Sequence, residues 1–239
     1  MTLDEILGGL FPAGHDVIVR DGLVSGTGKL GGSQTVHVLG VAEQNFLGVE
    51  GALALAAQVL GAMRGAARHP ILVLVDSRSQ RMSRHDELMG LNEFLAHLAK
   101  CLLLAAAQGH RTVALLYGGS AAGAFIATAL ACETLLALPG AHPEVMDLPS
   151  IARVTKLPVE KLREMAEATP VFAPGLENFA KTGAVAQTLD PEKDLAAQLL
   201  EFLPQRPAQD NRDELGAQRG GRPRAADIAA KVQRRATAR

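Results

Sequence analysis

The sequence predicts an α/β fold built on a parallel sheet, and three observations carry that expectation. Ile71-Leu72-Val73-Leu74-Val75 is apolar throughout, without the alternation of a half-exposed strand. A strand of this kind is covered on both faces. Strand-like and helix-like segments then alternate as far as Leu138, and that order implies right-handed crossovers between parallel strands. Third, the apolar run Thr112–Leu116 ends in Gly118-Gly119 and passes at once into a small-residue helix, Ala121 to Ala131.

The elements follow in order. Val17–Arg20 and Gln34–Leu39 read as strands, with Val24–Leu30 a further short strand and Gly31-Gly32 its hairpin turn. Val49 to Arg68 is an alanine-rich helix whose few polar positions (Glu50, Gln58, Arg64) make it mostly buried. His69-Pro70 stops it, and the strand Ile71–Val75 leads into a polar loop, Asp76 to Ser83. A long helix is expected from Asp86 to Gln108, ended by Gly109. After the glycine segment and its helix, Thr134–Leu138 is another strand, closed by Pro139-Gly140. Pro158–Met165 starts a helix with proline in its first turn, Pro170–Pro174 is a connector, and Phe179–Val185 is a helix end, glycine cap and short strand. Leu195–Leu203 reads as an amphipathic helix, Pro204–Pro223 as a linker and Ala225–Ala238 as a short basic helix. The expected division is a main domain over 1–203 and a basic linker and tail over 204–239.

Of 239 residues, 48% are hydrophobic, but only seven are Phe, one is Tyr and none is Trp. The core must therefore be Ala, Leu and Val, and an aromatic platform for single-stranded nucleic acid is excluded. Residues 205–239 hold nine Arg or Lys against four Asp or Glu; the remainder holds fifteen against twenty-one. A basic tail on an acidic body suits either a partner surface or plain solvation. Cys101 and Cys132 lie in apolar helical patterns without metal-ligand spacing, as expected for core thiols in a reducing compartment. The N-terminus lacks a basic stretch before an apolar one, and Leu102–Ala107 is too short to span a bilayer. A cytoplasmic protein bound to neither membrane nor nucleic acid is the expectation.

Tyr117-Gly118-Gly119-Ser120-Ala121-Ala122-Gly123-Ala124-Phe125 carries the chemistry. Glycines between a strand and a helix N-terminus let backbone N–H groups approach an anionic oxygen unobstructed. That is how an oxyanion hole is built without a catalytic side chain. Competing motifs fail. Gly22–Leu30 has five residues between Gly22 and Gly28, and leucine after its lysine, so it is no phosphate loop. Clp-type serine peptidases place their nucleophile two residues before a Gly-Ala-Phe-like sequence, where this chain has Ala121. Ala122, two after Ser120, breaks the GxSxG elbow. Ser120 is left to cap the helix or donate to a bound oxygen. The seven histidines lack ligand spacing; only His85 and His142 adjoin loops of interest, and Glu87 reads as a solvated helix-start carboxylate. No metal is expected.

Ile71–Ser83, Tyr117–Phe125, Leu138–Met146 (with Ala141-His142-Pro143-Glu144-Val145-Met146) and Thr169–Val185 together resemble the crotonase superfamily. More narrowly they are similar to its carboxyltransferase branch and to the gamma subunits of biotin-independent malonate decarboxylases. The resemblance spans about residues 15 to 200 and implies a crotonase-like (ClpP/crotonase) spiral of ββα units with a parallel sheet and a helical C-terminal extension. It departs from carboxyltransferase relatives in one place. Where they often carry Asp-Thr-Pro-Gly-Phe, this chain has Asp76-Ser77-Arg78-Ser79-Gln80, with Glu87 downstream.

The resemblance implies a heteromeric carboxy-lyase. A beta subunit and this chain would together decarboxylate a malonyl thioester to the acetyl thioester through an enolate. The thioester would ride on an acyl-carrier delta subunit, with an acyl-transferase alpha subunit completing the system. No cofactor is expected on this chain: a coenzyme-A-like group comes with the carrier, and biotin is not used. The expected donors are the amides of Gly118, Gly119 and Ser120, with Gln80 across the pocket. Tyr117, Ala121 and His142 are expected to meet substrate or carrier. Two alternatives stay open: a non-catalytic half that holds its partner and shapes the carrier's path, or a stand-alone crotonase-type hydratase or hydrolase of free acyl-CoA.

Overall fold

In the computed structural model, which describes residues 1–168, 174–204 and 210–238, a seven-stranded sheet runs in the order β1-β2-β3-β4-β5-β7-β9. β1 (Ile18–Arg20), β2 (Leu23–Leu30) and β3 (Gln34–Leu47) form an antiparallel edge, with Gly31 and Gly32 turning the β2–β3 hairpin. β4 (Ile71–Gln80), β5 (Thr112–Leu116), β7 (Thr134–Ala137) and β9 (Gln187–Thr188) join β3 in parallel. A separate parallel pair is formed by β6 (Gly119–Ala121) and β8 (His142–Glu144).

The uninterrupted apolar strands are buried on both faces, as their sequence requires. Ile71, Val73 and Val75 join Ala114 and Leu116 in one core, beneath α2 (Val49–Ala62), α4 (Leu91–Ala107) and α5 (Ala122–Ala127). Leu72, Leu74, Val113 and Leu115 enter the other, which is closed by α1 (Leu3–Leu10) and α9 (Leu195–Leu200). The period-2 geometry of a strand thus divides each run between two hydrophobic layers.

Four expectations are corrected. The polar segment after Val75 is strand as far as Gln80, because the far end of β3 keeps pairing with it (Asn45 with Ser77, Leu47 with Gln80) beyond a bulge. The long helix from Asp86 is two helices, α3 (Arg84–Met89) and α4, broken at Gly90, whose φ of 80° is left-handed. The helix expected to start at Ala121 starts one residue later and stops at Ala127, since β6 claims Gly119–Ala121. The linker expected over 204–223 contains a docked helix, α10 (Arg212–Gln218); Arg219 donates to the carbonyls of Ala180 (2.8 Å), Val185 (2.7 Å) and Ala186 (2.7 Å). Residues 205–209 of that linker, and the expected connector at 170–173, lie outside the described residues. The helix expected from Pro158 is α7 (Val159–Ala168), between α6 (Leu148–Thr155) and α8 (Leu176–Lys181), and the basic C-terminal helix is present as α11 (Ala225–Thr237), with no buried residue.

A buried carboxylate missing from the sequence reading ties the first crossover together. Asp86 is fully buried. It accepts from the Val49 amide at the start of α2 (2.9 Å), from Arg81 through Nε (2.6 Å) and Nη2 (2.9 Å), and from the Ser83 hydroxyl. The Arg81 guanidinium, with help from Ser83 and Val49, holds its carboxyl well below the ordinary carboxylate range. A depressed folded-state value means a contribution that is complete above the unfolded value of about 4 and lost as pH falls through the folded one. Asp86→Ala is expected to cost about 2–3 kcal/mol, the usual worth of hydrogen bonds to a charged group, read from the urea midpoint at neutral pH. Asp86→Asn is expected to flatten the fall in stability below about pH 4.

Candidate functional site

The C-terminal edge of the parallel strands, where ligands gather in open α/β sheets, is where β4 meets the glycine segment. Three side chains of β4 reach across. Asp76 Oδ1 accepts from the Gly119 amide at 3.0 Å, Ser77 Oγ and Ser120 Oγ lie 2.8 Å apart, and Gln80 Oε1 accepts from the Gly123 amide at 2.7 Å. Ser77 and Ser120 are both buried. Gln80 therefore satisfies one of the orphan amides at the start of α5, and Ser120 pairs with Ser77 instead of capping that helix. The glycines are required by this closeness. A Cβ at Gly118 would overlap the Asp76 carboxylate, and one at Gly119 would sit 2.8 Å from His142 Nε2 and 3.2 Å from the Ser77 carbonyl oxygen.

The three expected oxyanion donors are thus engaged to different degrees. Gly119 gives its amide to Asp76. His142 donates its own amide to the Gly118 carbonyl at 3.0 Å, and the pattern of a parallel ladder then directs the Ser120 amide at β8. A substrate oxygen reaching the Gly119 amide must displace Asp76.

Two clefts flank this segment. The smaller, about 170 Å³, is lined by Ser77, Arg78, Gly119, Ser120, Ala121 and His142, with Gln44 and Glu144. The larger, about 580 Å³, is lined by Asp76, Tyr117 and Gly118 together with His15, Glu43 and residues of α1. Structure therefore brings Gly119, Ser120, Ala121 and His142 together in one cleft and puts Tyr117 and Gly118 in the other; Gln80 lines neither. The Tyr117 hydroxyl is buried and has no hydrogen-bond partner among the described residues. Burial, with Asp76 and Glu43 nearby, pushes it well above the ordinary phenol range, so it stays protonated. Burial and Asp147 raise the Glu144 carboxyl, with His142 opposing.

Gln44 faces both clefts. It and Glu43 hold φ of 51° and 60°, a left-handed pair of non-glycine residues at the bulge of β3. Such strained positions persist where the surroundings over-determine them, and they cluster at ligand sites. Nothing in the sequence marks Glu43, Gln44 or Arg78 as site residues; only the bulge brings them there. His85, by contrast, lies 3.4 Å from Glu50 on the exposed side of α3, away from both clefts. Among the described residues no group of three His, Cys, Asp or Glu side chains could hold a metal ion, and no helix is long and apolar enough to cross a membrane.

Comparison with known proteins places this geometry. A sequence model for MdcE, the malonate decarboxylase gamma subunit, matches residues 42–236. The malonyl-S-ACP:biotin-protein carboxyltransferase MADD of Malonomonas rubra is 29% identical over 173 residues, covering 66% of this chain; the match takes in 59% of that relative's length. A Pseudomonas malonate decarboxylase hetero-tetramer in complex with coenzyme A contains a chain with the same fold, at a TM-score of 0.79 and 25% identity, covering 95% of this chain and 98% of that one. The Pseudomonas MdcD-MdcE hetero-dimer matches at a TM-score of 0.75 and 25% identity, over 97% of each chain. Transcarboxylase 12S, at 18% identity and a TM-score of 0.69 over 86% of this chain and 43% of its own, shares the fold. The strand–glycine–helix site stands on a crotonase-type carboxyltransferase fold, and the chain belongs to the malonate decarboxylase gamma subunit family.

Proposed function

We propose that this chain is one half of a malonate decarboxylase. It pairs with a beta subunit and, on a malonyl thioester presented by an acyl-carrier subunit, takes part in releasing CO₂ to leave the acetyl thioester. The carrier's coenzyme-A-like arm brings the thioester, and an acyl-transferase alpha subunit loads it. The observation that carries this reading is the family match over residues 42–236, which takes in every residue lining the smaller cleft. Loss of CO₂ leaves an electron pair on the α-carbon and negative charge on the thioester oxygen. Donors preset about 3 Å from that oxygen lower the barrier, one such donor being worth about a hundredfold or more in rate. The donors on this chain are the amides of Gly118 and Gly119, and of Ser120 once it leaves the β6–β8 ladder; Asp76 yields the Gly119 amide to the substrate, Ala121 and His142 wall the smaller cleft, and Tyr117 walls the larger.

A second reading is favoured by the Asp76 bond itself. With its own carboxylate on the Gly119 amide at 3.0 Å, the loop stays closed, this half positions the carrier and its partner, and the partner supplies the enolate donors. Two variants of the assembled complex separate the readings. Gly119→Ala presses on the His142 ring and, more lightly, on the Ser77 carbonyl oxygen and is expected to lower decarboxylation of the malonyl carrier at least tenfold if these amides hold the enolate; unchanged turnover rejects that role. Asp76→Ala, which frees the amide, is expected to spare turnover under the first reading and to lose it under the second. CO₂ release that persists in the presence of excess avidin distinguishes decarboxylation from the transfer to a biotin-protein for which the Malonomonas relative is named.

The tail adds an electrostatic expectation. α11 places Lys231, Arg234 and Arg235 on an exposed helix beyond the docked α10. Removing residues 222–239 is expected to weaken carrier binding and to reduce its salt dependence, measured as carrier affinity between low and physiological ionic strength; an unchanged affinity at low salt rejects the tail as the carrier's contact.

A further inference from the structure

Arg78 occupies the polar tip of β4, in the segment where this chain departs from an apolar Pro-Gly-Phe sequence. It is exposed and lines the smaller cleft. Among the described residues no carboxylate pairs with it; its guanidinium carbon lies 5.6 Å from the centre of the Phe46 ring, at the edge of the β3 bulge. An arginine stacked on an aromatic face keeps its fork of donors free for a planar anion. His142, whose Nε2 would lie 2.8 Å from a Cβ at Gly119, lines the same cleft, as do the buried Ser77 and Ser120. At about 170 Å³ the space is below the about 300–1,000 Å³ of pockets that enclose whole cofactors. It suits one small charged group.

We propose that this cleft is a carboxylate subsite: the Arg78 guanidinium, with the His142 imidazole lining the same cleft, holds the free carboxylate of the malonyl group and so selects a dicarboxylic acyl thioester over its acetyl product. The assignment of malonyl rests on the function proposed above; the carboxylate site itself does not. Glu144 also faces the cleft; burial and Asp147 raise its carboxyl, with His142 opposing, which lessens the cost of holding an anion beside it. The energetics follow from the reaction. The carboxylate sheds its charge as it leaves as CO₂, so a cation that grips it binds the ground state better than the transition state. Arg78 therefore acts on substrate affinity and selectivity more than on the chemical step, and the product, lacking the carboxylate, is not retained.

The test uses the assembled complex with the histidines of this chain isotopically labelled, the His142 ring signal being assigned by its loss in His142→Gln. Sodium malonate is expected to shift that signal saturably, and sodium acetate to need at least tenfold higher concentration. Arg78→Gln is expected to weaken malonate about ten- to hundredfold, the range for losing hydrogen bonds to a charged group. Arg78→Lys, with the charge but without the fork, is expected to fall between. The loss of kcat/KM on the malonyl carrier should appear in KM. Equal binding of malonate and acetate, or wild-type malonate binding by folded Arg78→Gln, overturns the subsite. Malonate binding that depends on Arg78 in a complex releasing no CO₂ from the malonyl carrier supports the subsite and rejects the decarboxylase reading. Normal CO₂ release with an Arg78→Gln KM equal to wild type rejects the subsite and leaves that reading standing.

Discussion

The polar end of β4 must lie against a stretch of chain that has almost no side chains, and the rest of the site follows from that contact. Asp76, Ser77 and Gln80 bond to Gly119, Ser120 and Gly123, each pair forty-three positions apart. The constant offset shows two segments running alongside each other in step. Side chains on β4 do here what main-chain carbonyls do in an ordinary ladder, taking up amides that β6 and α5 would otherwise leave unpaired. Gln80 lies in the part where a Pro-Gly-Phe core is replaced by polar residues, and its bond to the Gly123 amide, which an apolar side chain could not make, fastens the start of α5 in place.

The same strand end is held from behind by Asp86. Its carboxylate collects the first amide of α2, the hydroxyl at the start of α3 and the Arg81 guanidinium, so three elements converge on one buried charge. Burial of a carboxylate is tolerated because each oxygen has partners with good geometry; an unpaired one would be strongly unfavourable. Arg81 reaches onward to Glu50 on the exposed side, and this anchors the crossover at the point where the chain leaves the sheet. Rigidity at the site thus comes from polar bonds at the strand ends as well as from the apolar layers beneath.

How much of this was legible depended on whether the information was local. Ile71–Val75 and Thr112–Leu116 announce buried strands by composition alone, and strand–helix alternation then leaves few topologies. The glycine segment was legible for the same reason: a strand, two glycines and small residues have few other uses. What escaped was non-local. Asp86 reads as one more acid at a helix start until Val49 and Arg81 are known to surround it. The strand character of Asp76–Gln80 depends on the bulged far end of β3, and polar residues carry no strand signal without that partner. Arg212–Gln218 looks like linker because its anchor, Arg219, bonds to carbonyls at Ala180, Val185 and Ala186; main-chain acceptors leave no trace in the sequence.

One consequence concerns which groups are free to act. Packing gives the Gly119 and Gly123 amides, the Gly118 carbonyl and the Ser120 hydroxyl partners from this chain, through the Asp76, Gln80, β8 and Ser77 contacts. Among the described residues the Tyr117 hydroxyl has no hydrogen-bond partner and Arg78 no ion-pair partner, and Gln44 lines both clefts. A site whose backbone donors are satisfied internally resists collapse when empty, and a ligand enters it by exchange, oxygen for oxygen, with little reorganisation. That arrangement suits a half-site completed by another protein: the fixed part is held by the chain's own bonds, and Arg78, exposed at the rim, stands where a substrate delivered from outside arrives first.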